Sequence, residues 1–246
     1  MENGGISRAV FDRGLPWKRL IAEFVAITAA VYLGLLADDY RDFRKDRVSE
    51  QEFLRLIAED LDRDYEILVD LRKDIEIKSV GAQLINGSPD KTEISVESAE
   101  EALSELFFTS GYDSQRTTYL GLRDSAQLDL ISSPSLRASL TSYFEVQQPL
   151  LKSSVTEFGQ FQQRVRARAG RYVRILPPDR FDTLLLLPDS SGVTKLLVPI
   201  SQFQQDIELM NDIAETGARG FQIVNWTKRA EKQNRDLVDS LSEQLD

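Results

Sequence analysis

Neither cysteine nor histidine occurs anywhere in the 246 residues. Without cysteine the chain has no disulfide framework, no thiolate nucleophile and no thiolate metal site. Without histidine it lacks the commonest general base and the commonest zinc ligand. The only metals left are hard cations such as calcium or magnesium, held by carboxylates. The patterns Gly-x-Gly-x-x-Gly, Gly-x-x-x-x-Gly-Lys and Gly-x-Ser-x-Gly are also missing, so nucleotide-binding and hydrolase readings have no anchor. Basic residues are in deficit, 30 against 40 acidic, for a net charge of −10. Nucleic acid needs a concentrated basic surface and is excluded as a partner. The expectation is a protein with no catalytic residue, no cofactor and no metal site, and not an enzyme.

Against that background the run Leu20–Ala37 stands out: it is apolar throughout except for Glu23. Eighteen helical residues rise about 27 Å, close to the roughly 30 Å hydrocarbon layer of a bilayer. A signal peptide would want a shorter apolar core, a surface helix a stripe, and an interfacial helix a polar face. A single transmembrane helix over 20–37 is expected, after a short N-terminal tail, 1–19, and before a soluble helical domain, 38–246. Trp17, Lys18, Arg19, Tyr32 and Tyr40 are candidate membrane-anchor residues at the interfaces. Glu23 joins them, one turn inside the span, where it reaches headgroups or pairs with Lys18 or Arg19; a partner-helix contact is the alternative. Lysine and arginine nearly balance on the two sides of the span. The short tail tilts the expectation to a bacterial inner-membrane, single-pass protein with its bulk in the periplasm.

From Tyr40 to about Gly81 no proline or glycine interrupts a stripe of Leu54, Ile57, Leu61, Tyr65, Leu68, Leu71 and Ile75, so a juxtamembrane helix over 40–81 is expected. Its face could meet its own domain or a second copy. The acidic run Glu59–Asp64 reads as a solvated helix face, and Arg164, Arg166, Arg168, Arg171 and Arg174 as another. Helices are further expected over 96–107 and 113–124. Ser132-Ser133-Pro134 should open one that reaches about Val173, kinked or divided at Pro149. Two short strands, 181–187 and 193–200, should make a hairpin across 181–200. Leu184, Leu185, Leu186 and Leu187 are a candidate partner contact there, with inward packing as the alternative. Two last helices, 201–215 and 220 to the end, should meet at a joint of Gly217 and Gly220. The fold class is thus mainly α: one N-terminal transmembrane helix plus a long-helix bundle with a small β-hairpin insertion.

The stretches Ala22-Glu23-Phe24, Gly34-Leu35-Leu36-Ala37-Asp38-Asp39-Tyr40-Arg41-Asp42-Phe43-Arg44, Glu52-Phe53-Leu54 and Glu59–Asp64 resemble a family of uncharacterised bacterial single-span membrane proteins. So do Thr118–Leu122, Leu130–Arg137, Leu140 and Tyr143-Phe144. The resemblance implies the anchor and a helical extramembrane domain, and no reaction or site residue. Two function classes follow. One is a membrane-anchored structural or accessory subunit of a larger membrane complex, respiratory or photosynthetic, whose partners are the bilayer and a membrane protein or a second copy. The other is an envelope sensor or ligand-binding module on a single span.

Overall fold

The computed structural model describes residues 17–87, 94–176 and 193–245. Two compact units divide the chain, the first ending at Ser49 and the second running from Glu50. Helix α1 (Trp17–Asn86) belongs to both. In the first unit it is the only described element, and every described side chain from Leu20 to Val48 is exposed. It carries the one segment among the described residues long and apolar enough to cross a membrane, with a mean hydropathy of 2.1. Phe24, Ile27, Val31 and Leu33 all lie open on this length.

The second unit is a bundle. After α1 come α2 (Val96–Phe107), α3 (Thr117–Asp124), a short 3₁₀ turn at Leu128–Leu130 and α4 (Pro134–Thr141). A π-helical turn (Ser142–Gln147) then leads straight into α5 (Gln148–Ala169). Strands β1 (Val173–Leu176) and β2 (Val193–Leu196) pair antiparallel, with Val173 opposite Leu196. Helices α6 (Ile200–Phe203) and α7 (Ile207–Leu245) complete the chain.

Local chemistry accounts for most boundaries. α1 stops at Gly87, whose φ of +86° sets the left-handed cap that glycine adopts freely. Ser95 caps α2 by accepting from the Ser98 amide at 3.1 Å. Ser133 caps α4 and Pro134 takes its first turn. Pro149 does not break the helix as expected. It lacks the N–H that would bond back to Glu145, and the chain widens just before it, with the Gln148 amide reaching Tyr143 O.

Three apolar clusters fill the bundle. Leu54, Ile57 and Leu61 pack with Tyr119, Leu140, Phe144 and Leu237. Leu68, Leu71 and Ile75 meet Leu151, Phe158 and Ile223. Ile85 joins Leu103, Phe107, Phe203 and Ile213. The α1 stripe therefore faces its own domain. Tyr65 is the exception: it stays half-buried under Arg235, 4.6 Å from its ring, and Asp64 points inward in its place.

Three further expectations are corrected. Helix α5 ends at Ala169, and residues 173–176, expected to end a helix, form the strand paired with β2; the 181–187 strand lies outside the described residues. The glycine joint is absent, because α7 runs unbroken from 207 to 245. Gly217 and Gly220 instead let α7 lie against α1. A Cβ on Gly220 would stand 2.0 Å from Ser79 Oγ and 3.2 Å from Phe158, and one on Gly217 would stand 3.0 Å from Ala82. Finally, the arginines of α5 are not a solvated face but pair across to acids around the start of α7. Arg168 meets Glu208 at 2.6 Å and Arg171 meets Asp206 at 3.6 Å.

Candidate functional site

Charged residues buried in a bundle must be matched by donors or opposite charges, because water is gone. Glu50, Asp60 and Asp64 are all buried on α1, which overturns the reading of the acidic run as a solvated face. Each takes a backbone N–H from the segment 115–132. Asp60 accepts from the Thr118 amide at 2.8 Å. This fills a vacancy, for Arg116 at the N-cap of α3 offers no side-chain cap, and a carboxylate there is also favoured by the helix dipole. Glu50 accepts from Ser132 at 2.6 Å, one residue before the cap of α4. The acids of α1 thus organise the starts of two later helices.

Asp64 goes further. One oxygen accepts from the Gln115 amide at 3.2 Å and the Tyr112 hydroxyl at 3.4 Å. The other accepts from Gln148 Nε2 at 2.9 Å and, very closely, from the Tyr143 hydroxyl. Tyr143 in turn accepts from Asn234 Nδ2 at 3.0 Å, and the same nitrogen donates to Leu61 O at 2.9 Å. Five segments meet at this carboxyl: α1, the 112–115 connection, the π-turn, α5 and α7. No lysine or arginine among the described residues forms an ion pair with it.

The local fold explains the convergence. In the π-turn Tyr143 and Phe144 are both buried, with Phe144 stacked on Tyr119 at 4.7 Å between ring centres. The wide turn then brings Gln148 to the same carboxyl that Tyr143 reaches. Electrostatics follow from the seclusion. Burial pushes the Asp64 carboxyl above its ordinary value, and the hydrogen bonds from Tyr143, Gln148, Gln115 and Tyr112 offset only part of this. Burial, and then the negative charge of Asp64, push the hydroxyls of Tyr112 and Tyr143 far up, so both remain protonated donors.

Chemically this ring holds a proton and clamps helices. Asp64 is fully buried, so no substrate reaches it from solvent in this conformation. Among the described residues no group of three acids could hold a metal ion. Beside the ring a groove of about 580 Å³ is lined by Gln148, Ser114, Arg116, Lys152 and Glu157. A second buried charge, Lys78, is matched by Asp74 at 2.5 Å and Ser110 at 3.0 Å. Arg123, expected to pack and cap, bonds to Glu145 at 3.0 Å in the π-turn.

The anchor residues lie elsewhere. Trp17, Glu23, Tyr32 and Tyr40 are exposed on the first length of α1; Lys18 and Arg19 are within the helix, their side chains outside the described set. Leu184–Leu187 lie outside the described residues. Sequence reasoning missed Asp60, Asp64, Gln148 and Asn234. The one available signal was that Asp60 and Asp64 sit three residues after Ile57 and Leu61, within the stripe. No known family model, curated protein or solved structure matches this chain.

Proposed function

We propose that this chain is a non-catalytic, membrane-anchored accessory protein, a subunit or scaffold of a larger bacterial membrane complex. In this reading residues 20–37 cross the inner membrane once and the helical domain stands in the periplasm. The observation that carries it is the contrast on α1: about the most apolar residues of the chain, Phe24 to Leu36, have no protein around them, whereas the α1 residues Leu54 to Ile75 are packed. Apolar surface of that extent seeks lipid. The family resemblance, a sequence without histidine or cysteine, and a buried carboxylate used to hold helices together all support a structural rather than a chemical role. A respiratory or photosynthetic complex is the expected setting.

Membrane residence is tested by alkaline carbonate extraction and flotation, with protease protection reporting the side. The protein should stay with the membrane, and its domain should be digested only after the outer compartment is opened. Native-detergent purification should then bring down a stoichiometric membrane partner. The sensor reading rests on one observation, the polar groove against Gln148. It predicts a protein purified alone whose melting temperature rises with a small polar ligand and whose response is lost in Lys152→Glu.

A further inference from the structure

Three large apolar side chains are exposed around one hollow where α5 begins. Leu150 is 63% exposed, Val146 four residues earlier is 52% exposed, and Trp226 on α7 is 37% exposed. Leu150, Leu151, Trp226 and Ala230 wall a cavity of about 320 Å³, with Arg229 at its edge. Its floor is firm, because Leu151 and Ala230 belong to a buried cluster with Phe158 and Ile223. Contiguous exposed apolar surface on a soluble face marks an interaction site, and a groove between two packed helices fits a third helix lying along it.

The charge beside the hollow says what kind of helix. Arg229 has no ion pair among the described residues, although the chain carries ten more acids than bases and its arginines on α5 are paired. Tryptophan and arginine are the residue types that dominate binding energy at the centres of interfaces. We propose that this groove docks an amphipathic helix of a partner protein, one large apolar side chain entering between Leu150 and Trp226 and a carboxylate meeting Arg229. This rests on the accessory-protein reading and names the surface it would use. The widened turn before Pro149 sets the ridge, because it leaves Val146 and Leu150 outside while Tyr143 and Phe144 go in.

The test places a benzophenone side chain at position 150 of the full chain in its native membrane, with position 163, exposed on the same helix, as the control. On illumination, position 150 should crosslink to one segment of another polypeptide that carries an apolar residue and an acid one turn apart. Arg229→Glu should cut the yield at least tenfold, and changing that partner acid to lysine should restore it. Circular dichroism and thermal melting should be unchanged in Arg229→Glu, whose side chain is exposed. Crosslinks to lipid, to a second copy or to a segment without an acid, or a yield no higher than at position 163, would overturn the proposal. Carbonate extraction of the same samples separates the two readings. A protein that washes off the membrane yet crosslinks as described refutes the anchor and keeps the groove.

Discussion

Within α1, the length up to Ser49 and the length from Glu50 use the same backbone and opposite side-chain logic. The first is apolar on every face and touches nothing; the second alternates an inward stripe with charged faces and is packed along it. The second length also buries Glu50, Asp60 and Asp64, which the first could not do without donors. The comparison teaches that apolarity alone does not make a core. A stripe brings a domain together; an unbroken sleeve needs a solvent of its own kind.

The strongest way to break the comparison is to charge the sleeve. Ile27→Asp with Leu33→Asp adds roughly 2.5–3.5 kcal/mol per acid against insertion. Flotation should find most of this double variant off the membrane, while the melting of the 50–245 domain is unmoved. Next, Leu61→Ala in the stripe should lower unfolding free energy by about 2–5 kcal/mol in a urea titration. Leu33→Ala should leave the same titration unchanged, since no protein atom packs on Leu33.

Glycine sharpens the contrast at smaller scale. Gly220→Ala forces a methyl against Ser79 and Phe158 and should destabilise the domain by about 1–3 kcal/mol, beyond any gain in helix propensity. Gly34→Ala on the first length meets nothing within 4 Å and should not alter domain unfolding.

The gentlest effect is a slope with pH. Because the folded carboxyl of Asp64 is raised above its ordinary 3.8, the native state binds a proton more readily than the unfolded chain. That contribution to stability is complete below 3.8 and is lost as pH rises through the folded value. Wild type should therefore lose stability relative to Asp64→Asn as pH climbs from about 3.8 toward neutrality, and hold a constant difference above. Urea unfolding of both proteins across that range checks it. A flat difference would mean the carboxyl stays ionised at ordinary pH despite its burial.

Which of these features could be read from the sequence follows from distance along the chain. The sleeve, the stripe, the Ser95 and Ser133 caps and the Gly87 stop are written in neighbouring residues and were legible. The Asp64 ring is not, since its partners lie 48 to 84 residues away and include a backbone amide. Asp60 resembles any exposed helix acid until α3 arrives without its own cap. Gly217 and Gly220 have the local signature of a break, and only the nearness of Ser79 and Ala82 gives them their packing role. Strand β1 was absorbed into the helix before it because its four residues pair with residues across the 177–192 connection.

The turn at 142–147 carries one residue more than an α-helical turn of the same rise. Removing any one of its six residues would let the helix close regularly, at the cost of swinging everything downstream by about 100°. Gln148 would leave Asp64, and Leu150 would rotate away from Trp226. A scan of single-codon deletions along the bundle should therefore find its least tolerant spot here. At this place the gene's length, more than its spelling, dictates the shape of the product.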